Sequence, residues 1–422
     1  MTPQDAAAAP TAKKIVLGVA GGIAAYKACE LLRRFTEAGH DVTVVPTEAA
    51  LNFVGRTTFE ALSGKPVHTE VFDAADQVRH VRLGKSADLV VVAPATADLL
   101  ARAATGRADD LLTNVLLTAT CPVLMAPAMH TEMWLNPATA ANVATLRQRG
   151  GVVADPASGR LTGADTGPGR LPDPAELEAI ALSLLDADTL EAARRRDLTG
   201  KHVVVSAGGT RENLDPVRFL GNASSGLMGL SIARAAHLRG AEVTVVAADI
   251  AHPVPSGCAR RDVVSTADLE KVMTELAPAA DVIVQAVAAA DFTPRDASTT
   301  KIKKSADGGL ELDLVQTTDV LAKLAHHRPR PQLIVGFAAE TATGEELLAL
   351  GQKKINAKGC DLLVVNDVSG GKVFGAGDNQ VTILDAERVI AEHAGTKADI
   401  AHRILDVVGQ VPRLPAGTAS DR

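Results

Sequence analysis

Two distant stretches of the chain open in the same way, and that pairing limits the folds open to it. Lys13-Lys14-Ile15-Val16-Leu17-Gly18-Val19-Ala20-Gly21-Gly22 is a short apolar run ending in paired glycines, and Lys201-His202-Val203-Val204-Val205-Ser206-Ala207-Gly208-Gly209 is a second. Each has the form of a buried parallel strand that breaks into a turn where backbone can approach a ligand closely. An amphipathic helix follows the first pair at once. The second pair leads into a long polar segment, Thr210 to Gly229, ahead of any helix. The pattern predicts two α/β domains in one chain, each a doubly wound, Rossmann-like parallel sheet with its own small-molecule site.

A length of 422 residues suits two or three domains, each with its own core. Hydrophobic residues make up 46% of the chain but aromatics only 2%, so Ala, Val, Leu and Ile must fill those cores, as befits helices on a parallel sheet. A net charge of −7 argues against a nucleic-acid or membrane-surface role. No apolar run approaches the roughly 20 residues of a membrane span. Cys29, Cys121, Cys258 and Cys360 form no CxxC pair, which points to reduced thiols in the cytoplasm.

Strands are expected at Ile15–Val19, Val42–Val45, Leu89–Ala93, Val123–Ala126 and Val152–Ala154, with helices at Ala24–Ala38 and from Ala97. Residues 156–174 read as a long irregular, lid-like loop. Residues 176–196 read as one helix ending in Arg194-Arg195-Arg196, a basic end suited to the helix dipole or to phosphate. The second half offers strands at Val203–Val205, Val243–Ala247, Val282–Ala286, Leu333–Gly336, Leu362–Val365 and Val381–Leu384. The expected division is a loose tail over 1–12, a domain over 13–187, a linker over 188–200, a domain over 201–411 and a tail over 412–422.

In such sheets ligands gather at the carboxyl ends of the strands. Four loops of the first half end there. Gly21-Gly22-Ile23-Ala24 enters a helix whose first amides suit a phosphate. Thr47 follows the second strand, with Phe53 beyond it. Thr96 and Asp98 stand at a helix start, where they suit either capping or ligand binding. The fourth loop holds Met129, His130, Met133 and Trp134, the only tryptophan. His80 is a candidate acid–base group or a structural histidine.

The Gly21–Ala24 turn, His80-Val81-Arg82-Leu83, Pro94-Ala95-Thr96-Ala97-Asp98 and Pro127-Ala128-Met129-x-x-x-Met133-Trp134 together resemble the flavin-dependent phosphopantothenoylcysteine decarboxylases, over residues 13–185. The resemblance implies a flavodoxin-like domain with FMN on Gly22, Ile23, Ala24, Thr47, Phe53, Thr96 and Asp98. It also implies substrate on His130, Met133 and Trp134, His80 as acid–base residue, and trimers with FMN between subunits. His130 stands where that family usually has Asn, and Gly163 where many members carry a proton-donating flap cysteine.

In the second half, Ser206-Ala207-Gly208-Gly209-Thr210-Arg211-Glu212 runs on through Leu214-Asp215-Pro216-Val217-Arg218 to Asn222 and Ser224-Ser225-Gly226, a donor-rich loop suited to phosphates. Asp291 lies past a strand end, where it suits a cation or a ribose. Lys301-Ile302-Lys303-Lys304 reads as a solvated basic turn or a triphosphate contact. These runs, with Gly336-Phe337-Ala338-Ala339-Glu340-Thr341 and Asn366-Asp367-Val368, resemble the phosphopantothenate–cysteine ligases over 198–410.

That resemblance implies attack of the substrate carboxylate on CTP to give an acyl-cytidylate, then displacement of CMP by cysteine. Lys301 would stabilise the activation step and Asn222 would hold the acyl-cytidylate. CTP would lie on Gln285, Ala286, Val287, Asp291, Phe337, Lys354 and Lys358, with Mg²⁺ beside Asp291. Leu227 stands where Lys is frequent. Together the halves imply a bifunctional enzyme of coenzyme A biosynthesis, acting on 4′-phosphopantothenate, cysteine and CTP. They imply a homo-oligomer of trimeric decarboxylase units joined through ligase dimers. A flavoprotein regulator fused to an active ligase is the alternative, as is a peptidyl-cysteine decarboxylase fused to an unrelated nucleotide domain.

Overall fold

The computed structural model describes residues 12–70, 78–161, 165–303, 310–340, 342–367 and 378–411. The chain divides into two compact units, with the boundary in sequence between Arg195 and Arg196.

The first unit contains β1 (Lys14–Val19), α1 (Tyr26–Glu37), β2 (Asp41–Pro46), α2 (Arg56–Ser63), α3 (Arg79–Ser86), β3 (Leu89–Ala95), α4 (Ala97–Thr105) and α5 (Leu111–Thr118). These are followed by β4 (Val123–Pro127), α6 (Thr131–Trp134), α7 (Pro137–Gln148), β5 (Val152–Val153), β6 (Ala157–Arg160), β7 (Thr166–Arg170), α8 (Pro174–Ser183) and α9 (Ala187–Arg195). One parallel sheet runs in the order β2-β1-β3-β4-β5. This flavodoxin-like order reverses between β1 and β3, which opens a crevice at their carboxyl ends. Every residue of β3 is buried, as expected of a strand covered by helices on both faces. Helix α1 turns Ala28, Leu31, Leu32 and Phe35 inward, at helical spacing.

The second unit contains β8 (His202–Gly208), β9 (Arg211–Asn213), β10 (Phe219–Gly221), α10 (Leu227–Leu238), β11 (Glu242–Ala248), β12 (Ala259–Val263), α11 (Thr266–Leu276) and β13 (Val282–Gln285). It continues through β14 (Phe292–Pro294), β15 (Leu314–Gln316), α12 (Val320–His326), β16 (Leu333–Glu340), α13 (Gly344–Lys358), β17 (Leu362–Asp367), β18 (Asp378–Leu384), β19 (Val389–Thr396) and α14 (Lys397–Gln410). Its sheet runs β12-β11-β8-β13-β16-β17-β18-β19. Six strands are parallel, and the reversal falls between β8 and β13. One core, with Leu230, Ile232, Ile404 and Val408, packs α10 and α14 on one face of the sheet. A second, with Leu269, Met273, Leu324 and Ile355, packs α11, α12 and α13 on the other.

Several elements differ from the sequence reading. Strands β18 and β19 join antiparallel, so the second sheet is mixed at one edge. The polar segment after Gly209 folds back as the hairpin β9–β10. The expected irregular loop over 156–174 contains the hairpin β6–β7. Its glycine-rich strands carry no apolar alternation to announce them. The single helix over 176–196 is two helices, because Asp186 accepts a hydrogen bond from the Thr189 amide at 2.9 Å and starts a new one. Helix α9 therefore occupies part of the stretch read as linker. Arg194 donates to the Gly150 carbonyl at 3.0 Å, which spends that guanidinium on the fold.

Arg239 closes α10 against α14. Its side chain is 2% exposed and forks onto Asp197, at 2.9 and 2.5 Å, while its remaining nitrogen reaches Asp406 at 2.8 Å and the His402 carbonyl at 3.1 Å.

Candidate active sites

Two adjoining clefts lie at the carboxyl ends of the first unit's strands. They share Thr96, Ala97 and Met133. The glycines after β1 let the loops close on one another: a Cβ on Gly21 would stand 2.4 Å from that of Ala49. A 3-10 turn, Ile23–Ala25, precedes α1, and its N-cap residue Gly22 gives it no side-chain cap. The first-turn amides beside the cleft are thus left to a ligand or to water.

The first cleft, of about 720 Å³, is lined by Gly21, Thr47, Thr96 and Asp98. Thr47 and Thr96 also cap the turns behind them, accepting from Ala50 and Leu99 amides at 3.3 Å each. Thr96 therefore caps its helix and lines the cleft with the same side chain. The cleft is acidic: Glu48, Glu70, Asp98, Asp109 and Asp110 line it with one cation, Arg102. That guanidinium is saturated by Asp98, Asp109 and Asp110 at 3.0, 2.8 and 2.7 Å. Burial works against its charge, but the hydrogen bonds to Asp110 and Asp109 prevail and raise its pKa.

The second cleft, of about 630 Å³, is lined by Gly22, Ile23, Ala24, His130 and Met133. It also contains groups the sequence reading did not pick out: Tyr26 and Lys27 from α1, and Arg160 and Arg170 from the hairpin. No carboxylate lines it among the described residues. Burial, then the charge of Arg170, holds the Lys27 ammonium below the usual lysine value, against Asp173 and Glu30. Lys27 Nζ also donates to the Leu171 carbonyl at 3.3 Å. Ile23, Tyr26 and Lys27 share the i, i+3, i+4 spacing of one helix face, and Ile23 and Tyr26 are exposed there. That apolar-plus-cation face was the signal available for Lys27. Arg160 and Arg170 sit in two Gly-Arg pairs at the ends of one glycine-rich stretch, a weaker cue.

The hairpin lies on the loop after β4. The Met129 amide donates to the Gly169 carbonyl at 2.9 Å, and Thr131 Oγ1 to the Pro168 carbonyl at 2.9 Å. At Gly169 a Cβ would meet the Met129 oxygen at 2.2 Å, so only glycine permits this approach. Gly163 lies outside the described residues.

Three expected residues stand apart from both clefts. Phe53 is 48% exposed at the end of a 3-10 turn, off the lining. Trp134 packs against the core of the first unit. His80 lies on α3, where its carbonyl accepts from Thr118 Oγ1 at 2.9 Å and its Nδ1 is buried with no partner among the described residues.

In the second unit a cleft of about 670 Å³ lies beside the switch point. Backbone there is stitched across the sheet: the Ala288 amide donates to the Gly208 carbonyl at 2.8 Å, and the Thr210 amide to the Ala288 carbonyl at 3.2 Å. Asn222, Gln285, Val287, Asp291, Phe337, Lys354 and Lys358 all line this cleft. Asn222 Nδ2 donates to the Ala289 carbonyl at 2.9 Å. Gln285 Oε1 accepts from Ser206 Oγ at 3.1 Å. Lys354 rests on Glu340 at 2.5 Å and Lys358 on Asp319. Ala286 turns to the core instead. Lys301 is exposed and not part of the lining. Among the described residues, no group of three or more His, Cys, Asp or Glu side chains could hold a metal. No described helix is long and apolar enough to cross a membrane.

A flavoprotein family model matches residues 6–185, and a model of the DNA/pantothenate metabolism flavoprotein C-terminal domain matches residues 198–411. The chain is 54% identical over 406 residues to the coenzyme A biosynthesis bifunctional protein CoaBC of Mycolicibacterium smegmatis, covering 94% of this chain and 97% of that one. With the CoaBC protein of Bacillus subtilis it shares 40% identity over 406 residues, covering 95% and 98%. Among solved structures, the C-terminal domain of a CoaBC protein is 31% identical over 51% of this chain and 96% of that one, with a TM-score of 0.43. The FMN-binding protein AtHal3 is 30% identical over 40% and 93%, with a TM-score of 0.37.

Proposed function

This chain belongs to the family of coenzyme A biosynthesis bifunctional proteins, and on that footing we propose which residues carry its two reactions. It is a phosphopantothenoylcysteine decarboxylase in its flavoprotein unit and a phosphopantothenate–cysteine ligase in its second unit.

In the ligase unit, CTP lies in the cleft between Gln285, Asp291 and Phe337, and Lys354 and Lys358 turn from Glu340 and Asp319 to its phosphates. Asp291 forms no ion pair among the described residues and lines the cleft. A single carboxylate of this kind is enough for Mg²⁺ when a triphosphate and water supply the other ligands. Lys301 approaches the α-phosphate as charge develops on it. Asn222 holds the acyl-cytidylate until the amine of cysteine attacks.

The decarboxylase unit would take FMN across its two clefts, on Gly22, Ile23, Ala24, Thr47, Thr96 and Asp98; Phe53, off the lining of its own chain, would reach the group only if its loop moves or a second copy supplies it. The uncapped turn at Gly22 and the close loop approach at Gly21 fit such a group. When bound, the flavin supplies the reversible oxidation that lets a carboxylate leave an otherwise unactivated carbon. His130 and Met133 orient the substrate, with Trp134 behind them. Lys27, Arg160 and Arg170 surround its negative charges. His80 lies off the clefts of its own chain, so the site is completed by His80 from a second copy in a trimer, and ligase dimers link the trimers. The enzyme acts in the cytoplasm.

The observation carrying the reading is the cleft that gathers Asn222, Gln285, Asp291, Phe337, Lys354 and Lys358 from five separate segments at one switch point. The test supplies phosphopantothenate, cysteine and CTP to the purified chain and follows CMP and CO₂. Release of both supports both halves. CMP without CO₂ would leave a ligase joined to a non-decarboxylating flavoprotein, the outcome that His130 and Gly163 make worth looking for.

A further inference from the structure

The Leu214-Asp215-Pro216-Val217-Arg218 run lines none of the three clefts described above, yet it holds a carboxylate that accepts five hydrogen bonds. Asp215 is 2% exposed. Its Oδ1 accepts the Val217 and Arg218 amides, each at 2.8 Å. Its Oδ2 accepts the Arg218 guanidinium at 2.9 and 2.6 Å and the Ile302 amide at 3.1 Å. The same Arg218 nitrogen donates to the Ile302 carbonyl at 2.6 Å. Both backbone groups of Ile302 are therefore taken by one ion pair. The Ser298 amide donates to the Leu214 carbonyl at 2.9 Å, so residues 298–302 are fastened at both ends to this loop. Lys301 and Lys303, on either side of Ile302, stay exposed.

A loop would not need an ion pair on a buried carboxylate to close on itself. What this pair fixes is a distant peptide between two lysines. Burial alone would raise the Asp215 carboxyl, but the amide and guanidinium hydrogen bonds prevail and hold it well below the usual carboxylate range. The same hydrogen bonds that lower it are those that hold the Ile302 peptide. A lysine is a flexible point charge, and anchoring the peptide beside it removes much of the freedom it would otherwise lose on meeting a phosphate.

We propose that Asp215, acting through Arg218 and the peptide of Ile302, is a positioning residue for Lys301 and sets the rate of the activation step. The proposal rests on the reading of Lys301 as the activating cation.

The test measures acyl-cytidylate formation in single turnovers of the full chain for Asp215→Asn, Lys301→Gln and the double variant, with amide exchange over 298–303 as a second readout. Asp215→Asn should slow formation by about tenfold to a hundredfold, the scale of a misplaced catalytic group, with little change in KM for CTP. Exchange at Ile302 should rise in Asp215→Asn and stay unchanged in Lys301→Gln. The double variant should be no slower than Lys301→Gln alone, since both changes remove one effect. If Asp215→Asn does not fold, Arg218→Lys keeps the charge and the amide bonds but surrenders the fork, and the same non-additivity is expected with a smaller loss.

A double variant whose loss is the product of the two single losses overturns the proposal, as does an effect on KM alone. A normal rate in Lys301→Gln removes the lysine's role and the proposal together. A slow Lys301→Gln beside a normal Asp215→Asn removes the proposal only.

Discussion

Replacing Arg239 by Met tests how the second unit is held closed. The methionine fills a similar volume but abandons four hydrogen bonds: two to Asp197, one to Asp406 and one to the His402 carbonyl. Removing one partner from a fully buried pair costs about 3–5 kcal/mol, mostly because the remaining charges stay buried and unpaired. Asp197 and Asp406 each keep 29% of their side-chain surface, so water can reach them, and about 2–4 kcal/mol is the better estimate. In a unit of this size that lowers the melting temperature by roughly 4–16 °C. Calorimetry of the full chain would show the second unit's transition moving while the first unit's stays. Arg239→Met combined with Asp197→Asn and Asp406→Asn should regain most of the loss, because no charge is then stranded. A shift of under about 2 °C, or a triple variant no better than the single one, would mean that the ion pair is not what closes α10 on α14.

Arg170→Gln should lower kcat/KM for decarboxylation by about tenfold to a hundredfold, the scale of one charge-assisted hydrogen bond, and the loss should shrink with a substrate lacking the phosphate. Equal losses with both substrates would deny Arg170 a role in reading that group. Gly169→Ala should abolish decarboxylation and spare the ligase, because its Cβ would meet the Met129 oxygen at 2.2 Å; normal CO₂ release would show that the hairpin can stand off from the loop. Burial pushes the Cys360 thiol up to about 11, so at pH 8 iodoacetamide should label it far more slowly than in the unfolded chain, as read by mass spectrometry; fast labelling would contradict its burial.

What could be read from the sequence was whatever a single segment expresses. Apolar runs ending in Gly-Gly announced β1 and β8 because a strand buried on both faces needs an unbroken hydrophobic run. The cleft residues Asn222, Asp291, Phe337 and Lys354 were reachable because each follows such a strand or belongs to a recognisable run. The missing pieces depend on partners far away in sequence. Arg170 joins Lys27 only because Gly169 lets the hairpin lie on Met129, and neither local composition nor spacing encodes that meeting. Trp134 shows the limit of rarity as a signal: it suggested a ligand contact, and the fold packs this partly buried side chain against the core. The hairpins β9–β10 and β14–β15 escaped because strands of three residues give no period to detect.

The border shared by the first unit's two clefts has a consequence for anything that lies across it. Five carboxylates face one side of Thr96, Ala97 and Met133, and Lys27, Arg160 and Arg170 face the other. Even with Arg102 set against the carboxylates, the charge of the lining changes sign across that border, and a ligand with unlike ends is turned like a dipole in a field. Two molecules with the same groups in reverse order would fill the same space, yet only one would lie with its negative end on the hairpin side. What this border selects, before any individual hydrogen bond forms, is direction.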